Sequence, residues 1–410
     1  MAQEFQYIQD ILKEFYAPAI VNQVYKKAPF WAQVQKRDKG VYGKRVVIPV
    51  QTAFSEAVGA RTANDYGLPS ALRNTYDQAY IYIKRVYGRI QVDGFAIESA
   101  KGKGGWVDIV SAETKGVSNA FAIDVDRQTM GNGSGIIGLV ASVSTTAVTV
   151  DDPYGIASLG SGFNMFRAGM VLDGWDVSET PDVKDINSDP IVSISGNVLT
   201  MTSDCSALAD GDYLTREDVF STTAANIGEM MGLDGIVDSS DHPLADSFEG
   251  IDRDANPLWQ AYESSTSQVI SEDVIQGLLD SIEQRTDGEA PNLAMTTYAL
   301  RNKLIDIIRS DRMIDTMELK GGWKALKYIG GNVELPILVH KHCPTGYFYA
   351  ISLPHITFYT LQNFIWDDKG GGVVKPVAGY DAYEAWFKMY GNLGTDCCNA
   401  HGKLTGLTTS

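Results

Sequence analysis

The sequence has few of the residues that build small, disulfide-stapled or metal-centred domains. Its 410 residues include four cysteines and five histidines. Cys205, Cys343, Cys397 and Cys398 form no CxxC pair and show no regular spacing, which argues against a disulfide framework and a structural zinc site. We expect reduced thiols that pack passively, the adjacent pair at 397 and 398 included.

Long apolar runs and basic charge are scarce as well. The chain has no run of about 18 apolar residues, and its first residues, MAQEFQYIQDILKEF, carry acidic and amide groups where a secretory signal has basic ones. We expect synthesis and folding in a cytoplasm, without a membrane. Basic residues number 34 against 51 acidic ones, and the net charge of −17 disfavours a protein whose main task is to grip nucleic acid by its phosphates.

Apolar residues make up 44% of the chain, enough for the cores of two or three domains. Residues 5–24 carry apolar side chains at three- and four-residue spacing, which predicts a helix that Pro18 kinks or divides. An isolated helix cannot bury such a stripe, so we expect it at an assembly interface, and removal of residues 1–27 should leave a folded subunit that assembles poorly. The stripe comprises Phe5, Ile8, Leu12, Phe15 and Ile20.

Two strands are predicted at residues 44–50 and 79–86, separated by 28 residues without their own periodicity. So long a connection is unusual inside a compact domain. We predict a two-stranded ribbon over residues 43–92 that projects from its own subunit and needs a partner surface. Alternation places three side chains of the second strand on one face, and with two arginines of the connection they are our candidate interface residues: Tyr80, Tyr82, Lys84, Arg61 and Arg73.

Residues 106–130 predict the longest helix of the chain, with one apolar face formed by Trp106, Val110, Val117, Phe121 and Val125. Glycines at 131, 133 and 135 should end it. The letters GSGIIG that follow satisfy GxGxxG, but they come after a helix and before a strand, the reverse of a dinucleotide site. The run KGKGG at 101–105 lacks the GK[ST] ending of a phosphate-binding loop.

Residues 136–216 change to short β-prone runs, typical of a small sandwich or barrel, with a hairpin turn at Gly196-Asn197. Between residues 132 and 212 there are eleven acidic and two basic residues, a net charge of −9. We predict an inserted domain that folds by itself and faces outward, because loop sequence at both ends lets them meet at little entropic cost.

After the insertion, helices are predicted at 271–285 and 297–309. Strands should follow at 335–340, 347–351, 357–360 and 380–390.

Candidate chemical sites are weak, and we predict no catalytic residue, cofactor or metal. His340, His342 and Cys343 lie close together, but no HExxH or glutamate partner accompanies them. No nucleophile elbow and no recognisable carboxylate pair occurs. Five aspartates depart from the calcium-loop pattern and predict a solvated acidic loop: Asp173, Asp176, Asp182, Asp185 and Asp189.

The order of helical arm, ribbon, long helix, α/β part and closing strands resembles the major capsid protein of tailed phages, whose fold is named after phage Hong Kong 97. Stretches such as PAIVNQVYKKAPFWAQVQ, GKRVVIPVQ, VYGRIQVDGFAIESA, FEGIDRDANPLW and NLGTDCCNAHGKLTGL are similar to capsid sequence. The resemblance spans nearly the whole chain except residues 136–216. No Lys–Asn–Glu set matches the family's cross-linking residues, so covalent cross-linking is not implied.

The resemblance implies an α+β capsid fold in seven segments. These are an N-terminal arm (1–40), an extended E-loop (41–95), a P-domain with its spine helix (96–135), the inserted β-rich domain (136–216), a P/A transition (217–262), an A-domain (263–364) and a return to the P-domain (365–410). The implied function is self-assembly into an icosahedral head. Implied partners are other copies in hexamers and pentamers, scaffolding and portal proteins, and double-stranded DNA enclosed without sequence-specific binding.

Two alternatives stay open. Another phage structural protein, such as a decoration protein or a tail-tube subunit, is one, although a tail tube would be nearly all β. The other is a glycan-binding or glycan-processing protein that uses the acidic insertion.

Overall fold

The computed structural model describes residues 28–62, 67–95, 103–153, 165–178, 183–221, 223, 226–265, 267–286, 288–311, 316–319, 323–330, 333–369 and 372–409. The predicted helix at 5–24 and its apolar stripe lie outside the described residues, as do Asp182 and the side chains of Trp106 and Val110.

The helices are α1 (Pro29–Gln33), α2 (Lys103–Gln128), α3 (Leu233–Ile236), α4 (Glu272–Arg285) and α5 (Tyr298–Asp311). The strands are β1 (Gln35–Arg37), β2 (Arg45–Ala53), β3 (Thr75–Tyr82), β4 (Lys84–Asp93), β5 (Ile136–Ser144), β6 (Ala147–Pro153), β7 (Val171–Asp176), β8 (Val183–Ser195), β9 (Val198–Met201), β10 (Tyr213–Arg216), β11 (Tyr262–Ser265), β12 (Leu293–Thr296), β13 (Thr316–Leu319), β14 (Trp323–Gly330), β15 (Val333–Val339), β16 (Phe348–Ile351), β17 (Ile356–Trp366), β18 (Lys375–Pro376), β19 (Ala382–Thr395) and β20 (Gly402–Thr405).

A five-stranded sheet packs against the long helix α2. Its order is β1-β17-β19-β18, and β4 also pairs with β19. Phe121 of α2 meets Phe387 and Phe364 of the sheet, with ring centroids 4.8 and 5.3 Å apart. The predicted long helix is confirmed at 26 residues, the longest among the described residues. Gly133 and Gly135 adopt φ angles of 77° and 81°, so left-handed backbone redirects the chain from α2 into β5, as predicted for a helix stop.

The β-rich segment forms a closed six-stranded barrel in the order β10-β5-β6-β9-β8-β7. Its interior is a separate apolar cluster that includes Phe166, Leu172 and Leu214. The predicted hairpin is confirmed, because Ser195 pairs with Val198 across a turn in which Gly196 has φ 61°. Ile136 pairs with Thr215, so the chain enters and leaves the barrel at neighbouring positions. Independent folding of the barrel and its outward position stay predictions.

The expected solvated acidic loop is wrong for Asp173 and Asp189, which are both buried. Asp173 accepts hydrogen bonds from the backbone N–H groups of Ser188 and Asp218, at 2.8 Å each, and pairs with Lys184 at 2.7 Å. Asp189 accepts bonds from the N–H and the hydroxyl of Ser203. The β7–β8 register is irregular at Asp173, so its carboxylate satisfies backbone donors that the strand pairing leaves open.

A seven-stranded sheet, β11-β20-β16-β12-β15-β14-β13, packs with α4 and α5 over a second core. The predicted helix at 271–285 is confirmed, and Ser271 caps it by accepting the N–H of Val274. The domain boundaries expected after residue 262 stay predictions. β17 begins at Ile356 and belongs to the five-stranded sheet, whereas β20 joins the seven-stranded sheet through β11 and β16.

The ribbon is shorter than predicted. β2 and β3 form a two-stranded sheet of their own, from the Arg45–Tyr82 pair to the Ala53–Thr75 pair. The expected continuous strand at 79–86 breaks at Ile83, and β4 pairs with β19 instead. Ala79 and Ile81 are only 0% and 1% exposed because their own chain covers them. The prediction that residues 43–92 project as a whole is therefore wrong for the span from 79 onward.

Candidate functional site

The outer part of the β2–β3 hairpin, residues 53–76, exposes apolar side chains to solvent. Leu68 is 90% exposed and Val58 87%. Among the described residues, seventeen large apolar side chains are exposed, and seven of them lie between residues 42 and 76: Tyr42, Val47, Phe54, Val58, Leu68, Leu72 and Tyr76. Such a concentration of exposed apolar residues in one extended segment is typical of an interaction surface.

Polar contacts close the tip of this hairpin. Asn74 Oδ1 accepts the Ser55 N–H at 2.8 Å, and the Ser55 hydroxyl donates to the Leu72 carbonyl at 3.0 Å. Of the two predicted interface arginines, Arg61 donates to the Gly67 carbonyl at 2.9 Å within the tip, and Arg73 is exposed. A two-stranded sheet has a single layer, so it has no second face of its own on which to bury apolar groups.

The other three predicted interface residues lie at the hairpin base and contact their own chain. Tyr80 donates its N–H to the Glu249 carbonyl at 2.6 Å, and the Arg45 guanidinium lies 4.1 Å from its ring centroid. The Tyr82 carbonyl accepts from the Asn392 side chain at 2.9 Å. Lys84 donates to the Ile227 carbonyl at 2.6 Å, and burial lowers its pKa to about 8. A part in subunit contacts stays a prediction for these three.

Tyr80, Tyr82 and Lys84 all line a cavity of about 370 Å³, together with Ile81 between them. The segment 229–250 and Asn392 of β19 form its other walls. Sequence reasoning missed this cavity, because its walls come from positions more than 300 residues apart and no local pattern connects them.

A buried ion network joins the cavity wall to α2 and the barrel. Glu229 pairs with Arg127 at 2.5 Å, and Arg216 at the end of β10 pairs with Asp124 at 2.7 Å. Burial alone would raise the pKa of Asp124, but Arg127 and Arg216 hold it below its usual value. These contacts fix the barrel's last strand to the end of the long helix.

His340 and His342 are buried beside Asp126 of α2, just beyond β15. His340 Nε2 lies 2.9 Å from Asp126 Oδ1, and His342 Nε2 lies 3.6 Å from Oδ2. In the described part of the chain, no three His, Cys, Asp or Glu side chains are arranged to hold a metal ion.

All four cysteines are free thiols, as expected. Burial raises the pKa of Cys205 and Cys397 to about 11 and that of Cys398 to about 12, so their thiolates are scarce at neutral pH.

None of the helices described here combines the length and apolarity needed to cross a lipid bilayer.

No known family model and no curated protein matches the sequence. The structure is similar to the capsid asymmetric unit of cyanophage A-1(L), with a TM-score of 0.52 and 12% identity over 93% of each chain. The chain has the fold of a phage capsid protein. This confirms the predicted α+β capsid fold. Lower TM-scores relate it to the capsid of Myoviridae phage XM1 (0.45, 8% identity, 92% of this chain and 91% of that one) and to the holo-SrpI encapsulin complex of Synechococcus elongatus (0.45, 7%, 93% and 88%).

Proposed function

We propose that the chain is the major capsid subunit of a tailed phage, which self-assembles into an icosahedral head that encloses double-stranded DNA. The observation that carries this proposal is the hairpin tip, an exposed apolar surface projecting from a chain with the capsid fold. The role is structural and not enzymatic. Hexamers and pentamers are the products, with scaffolding and portal proteins as partners in the host cytoplasm and the virion as destination.

The energetics favour assembly through the tip. Covering one large apolar side chain contributes roughly 1.5–3 kcal/mol, and the tip offers several such side chains per subunit. A closed shell repeats the contact at every subunit, so modest contacts sum to a stable particle after ordering costs. The arm at residues 1–40, with Phe5, Ile8, Leu12, Phe15 and Ile20, is the second proposed interface.

The parts of the capsid fold receive their roles on the same basis. We assign the E-loop role to the hairpin, the P-domain role to the five-stranded sheet with α2, and the A-domain role to the seven-stranded sheet. The barrel is an outward-facing insertion, because the net charge of −9 between residues 132 and 212 is unfavourable beside packed DNA phosphates.

The alternatives lose their support. A tail-tube subunit would be nearly all β, whereas α2 alone has 26 residues. A glycan-binding or glycan-processing role that uses the acidic insertion is less favoured, because Asp173 and Asp189 are buried and accept hydrogen bonds from the barrel itself.

Negative-stain electron microscopy of the expressed chain tests the proposal. The wild type should form closed shells. A Phe54→Ser, Leu68→Ser, Leu72→Ser variant should keep the wild-type circular dichroism and thermal transition but remain in small species. Val192→Ser, which removes an exposed apolar residue of the barrel, should assemble normally. Normal shells from the triple variant at the same concentration would contradict the assigned interface, and the absence of any particle from the wild type would contradict the function.

A further inference from the structure

The turn formed by residues 248–251 holds the base of the β2–β3 hairpin. Phe248 bridges Ile251, and both residues between them are left-handed, with φ 53° at Glu249 and 88° at Gly250, as a tight two-residue turn requires. The Glu249 carbonyl accepts the Tyr80 N–H at 2.6 Å. A Cβ atom at position 250 would lie 2.6 Å from Cδ2 of Tyr80, so the ring rests directly on the turn's backbone.

The Glu249 carboxyl group points into this junction without a hydrogen-bond partner. Both of its oxygens are sealed from solvent and neither has a donor within reach. Ile81 of the hairpin packs on Gly394, where any side chain would overlap it, and Oε1 of Glu249 lies beside the same spot. A buried carboxylate without donors is strongly unfavourable, whereas the neutral acid is tolerated. Burial accordingly raises the pKa of Glu249 to about 8.

The positive charge of Arg253 offsets part of a negative charge here, but the effect of burial is larger. Arg253 lies on the same segment and carries the opposite charge. The two terminal nitrogens of its guanidinium donate to the carbonyl groups of Gly235, Ile236 and Ser240. Asp396, beyond β19, adds negative charge. Tyr359 of β17 and Cys398 also interact with the carboxyl group. Burial raises the pKa of each to about 12, and negative charge on Glu249 contributes to both shifts.

The titratable groups on the cavity side have other partners. Lys84 of β4 donates to the Ile227 carbonyl, and Glu229 pairs with Arg127. Burial lowers the pKa of His242, so its imidazole is neutral at physiological pH. An ionised Glu249 would therefore need a rearrangement of the turn or of the hairpin base to reach a donor or water.

We propose that Glu249 is a protonation-controlled latch at the base of the hairpin. The neutral carboxyl group lets the turn 248–251 hold Tyr80 and Ile81, and loss of its proton to bulk solvent releases them, so that the carboxylate becomes hydrated. In the released form the pKa of Glu249 is near the ordinary value of a glutamate, and in the held form it is well above that value. The held form is thus favoured at low pH, and opening rises by at most about tenfold per pH unit up to the pKa of the held form. The latch lies within one chain, so its test does not depend on shell assembly.

Hydrogen–deuterium exchange of the Tyr80 amide in the unassembled full-length chain tests the latch. Wild type and Glu249→Gln are compared at each pH from 5.5 to 9, so that the intrinsic pH dependence of exchange cancels. The ratio of their exchange rates should rise with pH from 5.5 upward, by up to about tenfold per pH unit, and level off near pH 8 to 9. Glu56→Gln, which removes an exposed acid of the same hairpin, should leave the wild-type pH dependence unchanged.

A ratio that stays constant across this pH range would overturn the proposal. If Glu249→Gln does not fold, the wild type supplies its own reference. The protection factor of the Tyr80 amide should fall between pH 6 and 8 while that of Met295, in the middle of the seven-stranded sheet, stays constant. Parallel behaviour of the two amides would reject the latch.

Discussion

The β2–β3 hairpin and the six-stranded barrel are both built from antiparallel strands, yet they treat their apolar residues in opposite ways. The barrel closes on itself, so its inward side chains form a separate hydrophobic core. The hairpin has two strands and no second layer, and its outer part leaves residues such as Leu68 and Val58 in solvent. We therefore expect the closed barrel to be stable without a partner, and the open ribbon to bury its apolar residues against another molecule.

The largest expected contrast is in folding stability. Phe166→Ala should lower the free energy of unfolding of the barrel by about 3–5 kcal/mol, because it removes a buried ring from a closed core. Leu68→Ala in the hairpin should change the stability of the unassembled subunit by less than about 0.5 kcal/mol. Chemical denaturation followed by circular dichroism measures both. Equal losses would mean that the hairpin tip has an intramolecular partner.

A second contrast lies between two acids of the barrel. Asp173→Asn should destabilise the barrel by about 1–3 kcal/mol, because it weakens two backbone hydrogen bonds and the pair with Lys184. The exposed Asp185→Asn is the matched control and should fall within about 0.5 kcal/mol of wild type. Thermal unfolding at constant pH measures the stability of both variants and distinguishes the two effects. A neutral Asp173→Asn would restore the interpretation of this region as a solvated loop.

The smallest expected effect concerns the rest of the subunit. Replacing residues 137–214 by a short Gly/Ser linker, which keeps Arg216 and its pair with the buried Asp124, should shift the unfolding free energy of the remaining chain by less than about 1 kcal/mol, since the ends of the barrel are adjacent and its core is separate. Denaturation monitored on the remaining tryptophans reports this. Loss of all soluble protein would show that the barrel is not independent.

The sequence predicted elements that depend on local periodicity. The long helix, the capped helix after Ser271 and the Gly196-Asn197 hairpin follow from three- and four-residue spacing, capping and turn chemistry, which act over a few residues. The capsid fold came from the order of these elements and from resemblance.

Local patterns could not predict which strands pair when they lie far apart in the sequence. Alternation continues unchanged through Ile83, so nothing local shows that the partner switches there from β2 to β19. The same limit applies to the place of β20 in the seven-stranded sheet, and to Asp173 and Glu249, whose polarity predicts exposure. Both acids are buried by segments distant in sequence, and only the assembled fold places them.

One measurement compares the two regions directly during assembly. Single cysteines introduced by Leu68→Cys in the hairpin tip and by Val192→Cys in the barrel can be labelled selectively, because the native thiols have raised pKa values or are buried. The account predicts that maleimide labelling at position 68 slows at least about tenfold when subunits assemble into particles, since a contact that covers the site suppresses its access. The rate at position 192 should stay unchanged. Equal labelling at position 68 in free and assembled subunits would contradict the claim that this hairpin joins one capsid subunit to the next.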